Sequence, residues 1–314
     1  SIIASCDVAA AMMEPPGGTA LVEESLKEAL DFRRAMRKVD KEFGRDWWFK
    51  VWGPDRLAKE GVGQAADWVL KADEKWHGFG NLAPGFNMLD PIKSTVITPG
   101  LDVSGKFART GIPAAIVTKF LAEHGVVVEK TGLYSFFIMF TIGITKGRWN
   151  TMLTALQQFK DDYARNAPMW RILPEFCAQH PRYERMGLRD LCQSIHETYA
   201  RGDVARLTTE MYLSDLQPAM KPSDAFARIA HRDTERVDID RLEGRITTSL
   251  LTPYPPGIPL LIPGERFNRK IVEFLRFTRE FNAKFPGFDT DVHGLVETSD
   301  DAGVRRYAVD CVRG

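Results

Sequence analysis

Pro113-Ala-Ala-Ile-Val-Thr-Lys-Phe-Leu-Ala-Glu-His-Gly-Val-Val-Val-Glu-Lys-Thr-Gly-Leu-Tyr-Ser-Phe-Phe-Ile-Met-Phe140 decides the fold. Pro113 presets φ for a first helical turn, and the helix runs to His124, where Gly125 supplies the C-terminal stop. Val126-Val-Val128 is β-branched and reads as a strand leading to Glu129-Lys-Thr-Gly132. Tyr134 to Ile142 reads as a second, stronger strand. Upstream, Ser94-Thr-Val-Ile-Thr98 lies between Pro91 and Pro99-Gly100 and is a third. Downstream, Gly143 to Gly147 turns into a long helix over about Arg148 to Arg165. This β-α-β-β-α order predicts a compact α/β layer.

Working further outward, Ile2 to Ala4 reads as a short buried strand and Asp7 to Met13 as a short helix closed by Pro15-Pro-Gly-Gly18. Thr19 is an N-cap candidate for a helix in which Leu26, Leu30, Met36, Val39 and Phe43 keep helical spacing. Trp47 to Trp52 is strand-like and aromatic, and Gly53 to Leu82 is mostly loop. Asn166-Ala-Pro168 marks a boundary, followed by helices over Leu188 to about Ala200 and near Pro222 to Ala230. Phe267 to Phe285 is amphipathic, with Ile271, Phe274, Leu275, Thr278 and Phe281 on one face. Val292 to Val312 reads as a hairpin across Ser299-Asp-Asp-Ala-Gly303. The chain opens at Ser1, without Met, in an apolar run, which points to a piece of a longer polypeptide.

With 42 basic and 42 acidic residues the net charge is zero, so nothing calls for nucleic acid or an anionic membrane. No apolar run approaches the roughly 20 residues that span a bilayer. Cys6, Cys177, Cys192 and Cys311 are scattered without a C-x-x-C, which suggests reduced thiols and a cytoplasmic setting. The histidines lack metal-ligand spacing. Gly61-Val-Gly-Gln-Ala-Ala66 is half a dinucleotide fingerprint with no preceding strand, and is set aside.

Three segments remain as candidate sites. Thr252-Pro-Tyr-Pro-Pro-Gly-Ile-Pro-Leu-Leu-Ile-Pro-Gly-Glu265 is stiffened by its prolines. Tyr254 should be extended, Pro255-Pro256 stiff, Gly257 a turn, Ile258 to Ile262 a short buried strand, and Gly264-Glu265 a turn into a helix. Such a segment serves equally as a rigid connector or as the wall of a site. Trp76-His-Gly-Phe79 joins an indole, an imidazole and a glycine in one loop, either an aromatic plug over the core or part of a cleft. Glu129-Lys-Thr-Gly132 is expected just past the C-terminal end of an apolar strand, where α/β folds often bind ligands, although a solvated Glu-Lys pair is the ordinary outcome.

These segments resemble the C-terminal part of the bacterial ornithine/lysine/arginine decarboxylases, pyridoxal-phosphate enzymes of fold type I. The resemblance is carried by Ile3-Ala-Ser5, Trp76-His-Gly-Phe79, Leu89-Asp-Pro-Ile-Lys93, Thr98-Pro-Gly100 and Gly111-Ile-Pro-Ala114. It continues through Glu129-Lys-Thr-Gly132, Pro253-Tyr-Pro-Pro-Gly-Ile-Pro259, Pro263-Gly-Glu265, Pro286-Gly-Phe288 and His293-Gly294. The fold class it implies is α/β (α+β). Residues 1–16 would end the large cofactor domain, 17–166 would form the small α/β domain, and 167–314 the C-terminal α+β domain.

The resemblance implies a basic amino-acid substrate, a homodimer or a higher oligomer such as a decamer, and pyridoxal phosphate bound mainly by residues upstream of this chain. The Schiff-base lysine follows a Ser-x-His in the family. No Ser-x-His-Lys occurs here, so the chain alone is expected to be inactive. Glu129 matches an acidic residue that lysine-type members place near the distal ammonium, which favours lysine, with ornithine next. Trp76 and His77 would lie near the cleft, and Tyr254 and Glu265 near its entrance. Acid-stress lysine members bind a guanosine tetraphosphate alarmone through arginines near the start of the C-terminal domain. Arg171 and Arg189 are out of register for that role, so no alarmone inhibition is expected. A non-catalytic regulatory or assembly module and a fold-type-I aminotransferase are the alternative readings.

Overall fold

The computed structural model describes residues 1–58, 65–80, 82–254, 257–299 and 305–314. Pro255-Pro256, the middle of the expected turn over 299–303 and most of the Gly61 fingerprint lie outside them. The chain divides into two compact units, residues 1–175 with 185–192 and residues 176–184 with 193–314.

The first unit opens with helix α1 (Ile2–Met12), none of whose residues is buried. The expected strand at Ile2 to Ala4 is therefore a helix. Ala4, Ala9, Ala10 and Ala11 are strong helix formers, and no strand among the described residues pairs with this segment. Helix α2 (Gly17–Phe43) starts after Pro16, two residues before Thr19. Its buried face is Ser25, Ala29, Phe32, Arg33 and Met36, so of the expected apolar set Met36 is buried, while Phe43 is exposed. Strand β1 (Lys50–Val51) and the short helix α3 (Ala65–Trp68) follow.

Strand β2 (Lys93–Ile97), helix α4 (Ala114–Glu123), strands β3 (Lys130–Thr131) and β4 (Ser135–Met139) and helix α5 (Lys146–Ala164) reproduce the β-α-β-β-α order. The strands form one antiparallel sheet in the order β1-β2-β4-β3, with Thr95 opposite Phe137 and Lys130 opposite the same Phe137. Val126 to Val128 is not a strand. The Val126 amide still donates to Leu121 at the helix end, at 2.8 Å, and Val127 is 86% exposed. Pairing begins one residue into the Glu129 motif instead. Because the sheet is antiparallel, the argument from the C-terminal ends of parallel strands does not apply here. Phe32, Phe49, Val96, Ile116, Phe136 and Phe159 form the core beneath α2, α4 and α5. Short helices α6 (Met169–Ile172) and α7 (Pro174–Gln179) follow, and the division between the units falls within α7 and α8 (Leu188–Arg201).

The second unit contains α9 (Val204–Leu213), β5 (Gln217–Pro218), α10 (Pro222–Ala230), β6 (Thr234–Asp238), β7 (Thr252–Tyr254), β8 (Glu265–Arg266), α11 (Arg269–Lys284), β9 (Asp291–His293), β10 (Val296–Ser299) and β11 (Arg305–Val312). Its antiparallel sheet runs β10-β11-β6, with two-stranded pairs β5-β8 and β7-β9 beside it. The expected hairpin is present as β10 and β11, Val296 facing Ala308. All five residues predicted for the apolar face of α11 are buried, and α11 packs on α9 and β11. Asn268 caps it, accepting from the Ile271 amide at 3.0 Å. No helix among the described residues is long and apolar enough to cross a membrane.

Candidate functional site

Trp76-His-Gly-Phe79 is held by a chain of polar contacts that starts at Arg56. That guanidinium donates to the Asp67 and Val69 carbonyls at 3.2 and 3.0 Å and pairs with Glu74. Glu74 in turn accepts from the Trp76 indole at 2.9 Å. Burial pushes the Glu74 carboxyl up, but the hydrogen bonds from Trp76 and Arg56 outweigh it and hold it below the usual range. Trp76 therefore has one orientation, edge-on to Trp52 with ring centres 4.8 Å apart.

His77 is 4% exposed. Its Nδ1 accepts from the Phe79 amide at 3.1 Å, which leaves Nε2 as the donor to the Lys71 carbonyl at 3.0 Å. Both ring nitrogens are spent on the backbone, so His77 shapes the loop and has no nitrogen left for proton transfer.

Arg33 supports the other side of this cluster. Its guanidinium donates to the carbonyls of Lys93 (2.8 Å), Pro91 (3.4 Å) and Trp52 (3.5 Å) and lies over the Trp68 ring. Burial pushes it down to about 10, with Asp90 opposing. It thereby ties α2 to the backbone that carries Trp52. Trp52, Phe79, Phe86, Phe137, Lys93 and Lys130 line an open cavity of about 710 Å³ on the sheet.

Glu129 lies elsewhere. Its amide donates to the Phe137 carbonyl at 3.0 Å, continuing the β3 ladder by one residue. Its side chain is exposed, with no ion pair among the described residues, and lines a cavity of about 510 Å³ with Ile138, Phe140, Ile144, Arg148 and Trp149. Glu129 and Lys130, adjacent in sequence, thus line different cavities.

In the second unit, Tyr254 ends β7 opposite Asp291, 53% exposed, its ring 6.3 Å from that of His293. Gly257 turns the chain at φ +78, its amide bonded to the Pro253 carbonyl at 2.8 Å. Ile258 to Ile262 is not a buried strand. Leu260 and Leu261 are buried, Leu261 makes a single bridge to Leu251, and Ile258 and Ile262 are 53% and 42% exposed. Pro259 and Pro263 lack the N–H groups that a ladder needs. Glu265 lies in β8, and its carboxylate accepts from the Ile262 amide at 2.8 Å, closing the turn at Gly264. The chain enters α11 only at Arg269, after that short strand.

Trp76 and His77 therefore share one loop, whereas Glu129 belongs to a separate cavity of the same unit. Tyr254 and Glu265 are placed independently within the second unit. Sequence reasoning missed Trp52, Phe137 and Arg33. The outward register of Phe137 beside buried Phe136 is a readable signal, and Trp52 ends an aromatic run. An arginine on a long helix carries no local sign of burial.

This antiparallel sheet, the clamped Trp-His-Gly-Phe loop and the Glu129 motif are accompanied by matches to two profiles of one family. "Orn/Lys/Arg decarboxylase, major domain" matches residues 1–148, and "Orn/Lys/Arg decarboxylase, C-terminal domain" matches residues 205–313. The chain belongs to the Orn/Lys/Arg decarboxylase family.

Among individual proteins, it is 49% identical to "Lysine decarboxylase LdcA" of Pseudomonas aeruginosa, over 99% of this chain and 42% of that protein. It is 37% identical to the "Inducible lysine decarboxylase" of Escherichia coli K12, over 99% and 43%. The solved structure of "Lysine decarboxylase A from Pseudomonas aeruginosa" superposes with a TM-score of 0.93 at 48% identity, over 99% of this chain and 42% of that one. The chain thus spans about two fifths of the length of these relatives.

Proposed function

We propose that this chain is the C-terminal portion of a pyridoxal-phosphate-dependent lysine decarboxylase that converts lysine to cadaverine and CO2. The observation that carries the proposal is its similarity, along 99% of its length, to proteins named lysine decarboxylases. The exposed Glu129 carboxylate, which has no ion pair among the described residues, supports it chemically.

Pyridoxal phosphate supplies an electron sink for the carbanion left by decarboxylation. The described residues do not suit its attachment. An imine-forming lysine works in a desolvated pocket, and none of the lysines described here is buried. We therefore assign cofactor attachment to the rest of the protein and substrate recognition to this chain, which by itself should not turn over substrate. Glu129 accepts a hydrogen bond from the distal ammonium of lysine. Trp76, fixed by Glu74 and Trp52 and braced by His77, is a substrate-binding candidate apart from the cavity that Glu129 lines, and Tyr254 and Glu265 are candidates within the second unit. The domain limits we favour are 1–16, 17–166 and 167–314. The complete enzyme would be a cytoplasmic homodimer or larger assembly, insensitive to the guanosine tetraphosphate alarmone.

The test is a decarboxylation assay of the full-length enzyme with lysine, ornithine and arginine side by side. Lysine should give the highest kcat/KM. Replacing Glu129→Ala should raise KM for lysine about 10- to 100-fold, the value of one hydrogen bond to a charged group, with much less effect on cofactor content. Unchanged lysine kinetics would remove Glu129 from the site. A preference for ornithine or arginine would reassign the substrate.

A further inference from the structure

Strand register builds the floor of the open cavity of about 710 Å³ on the sheet of the first unit. Thr95 lies opposite Phe137, and Phe137 lies opposite Lys130. The Trp52 amide donates to the Thr95 carbonyl at 2.7 Å, which continues the β1-β2 pairing by one residue. Trp52, Thr95, Phe137 and Lys130 therefore form one row across the four strands, and all four line the cavity. Their neighbours Val96 and Phe136 are buried in the core, so alternation along the strands turns Thr95 and Phe137 to the uncovered side. Phe79 and Phe86, 55% and 86% exposed, complete an aromatic lining.

Asp90, Lys93 and Lys130 are the charged residues of this lining. Lys93 pairs with Asp90 at 3.3 Å. The Lys130 side chain is half-buried and makes no ion pair or hydrogen bond among the described residues. Directly opposite residues of an antiparallel pair have Cβ atoms about 5 Å apart. The free ammonium of Lys130 therefore reaches whatever lies against the Phe137 ring.

An aromatic floor beside one unspent cation selects between ligand classes. An organic cation would suit the rings but meet Lys130, with Asp90 already taken by Lys93. A polyphosphate calls for several cations, and this lining offers a single free one among the described residues. A neutral aromatic molecule would cover the rings but strip water from the Lys130 ammonium without replacing it. A flat molecule with one negative charge satisfies the rings and the ammonium together. The volume lies within the usual range for small-molecule sites.

We propose that this cavity binds a small aromatic carboxylate, with its ring against Phe137 and Trp52 and its carboxylate on the Lys130 ammonium. The proposal is independent of the decarboxylase reading, because none of the substrate-binding candidates lines this cavity and Glu129 lines the other.

Calorimetric titration of the full-length protein with indole-3-acetate tests it. Tryptamine carries the same ring with the opposite charge, indole-3-acetamide the ring without charge, and acetate the charge without the ring, all at equal ionic strength. We expect millimolar or tighter binding of indole-3-acetate and at least tenfold weaker binding of the three controls, the value of one hydrogen bond between charged groups. Lys130→Met should weaken indole-3-acetate at least tenfold, whereas Lys130→Arg keeps the charge and should stay within about threefold of the parent. Phe137→Leu keeps an apolar side chain, removes the ring and should weaken binding about threefold or more. Should that variant fail to fold, the two Lys130 variants decide the matter. Glu129→Ala should not weaken binding. Absence of binding, equal binding of tryptamine or acetamide, or affinity unchanged in Lys130→Met overturns the proposal. Loss of binding in Glu129→Ala would place the ligand in the other cavity and overturn it as well.

Discussion

Replacing Arg33 with methionine and with alanine separates the charge of a buried guanidinium from its packing. Arg33 is 4% exposed, and burial pushes its guanidinium down to about 10. About 1.4 kcal/mol per pKa unit puts the desolvation cost at roughly 3 kcal/mol over that displacement. Opposing it are a short bond to the Lys93 carbonyl at 2.8 Å, contacts to Pro91 and Trp52 at 3.4 and 3.5 Å, and the Trp68 ring at 5.6 Å. A hydrogen bond from a charged donor contributes about 2 kcal/mol, and the ring about 1 kcal/mol. The two long contacts add little. The sums cancel to within about 1 kcal/mol.

Arg33→Met keeps much of the side-chain volume and removes the charge, so it should change the stability of the first unit by no more than about 1 kcal/mol. Arg33→Ala also opens a cavity beside Trp68 and should cost about 3 kcal/mol. All seven tryptophans lie in this unit, so urea unfolding followed by tryptophan fluorescence reports on it selectively. If methionine proved as damaging as alanine, the guanidinium would be strongly stabilising and the balance drawn here would be wrong.

Three further outcomes are expected. Gly264 has φ +95, and a Cβ there would sit 2.4 Å from the Met220 carbonyl oxygen, so Gly264→Ala should cost about 3 kcal/mol. A melting curve unchanged by circular dichroism would count against this turn. The Arg279 hydrogen bond, followed by that of Arg276, holds Asp240 below the usual carboxylate range despite partial burial. Its stabilising contribution is full above the unfolded value near pH 4 and disappears as pH falls through the lowered folded value. Melting temperatures of the parent and Asp240→Asn should therefore differ at pH 7 and converge in acid; a constant gap would refute the ion-pair account. Finally, Cys6 is exposed while Cys177, Cys192 and Cys311 are buried, with burial pushing the Cys311 thiol up to about 12. A thiol reagent should modify one cysteine in the native protein and all four in urea, and rapid native labelling of a second would contradict the packing.

The elements with long apolar periodicity were legible. The α11 face from Ile271 to Phe281 matches residue for residue, and β2, α4, β4 and α5 lie where their turn and cap residues predict. Short apolar runs were ambiguous. Ile2 to Ala4 and Val126 to Val128 have strand composition, yet neither has a partner strand among the described residues, and a strand without a partner leaves its backbone groups unpaired. Pro259 within Ile258 to Ile262, and Pro263 directly after it, lack ladder donors.

By itself, the sequence determined the family resemblance, the order of the main elements and the stiffness of the segment around Tyr254, because these depend on residue type and spacing along the chain. Tertiary structure decided which side chains share a cavity. Glu129 and Lys130 part company across one peptide bond because successive residues of an extended chain point to opposite faces. His77 lost both ring nitrogens to carbonyl and amide groups of its own loop. Burial and partnership are properties of chain segments brought together in space, and no local pattern encodes them.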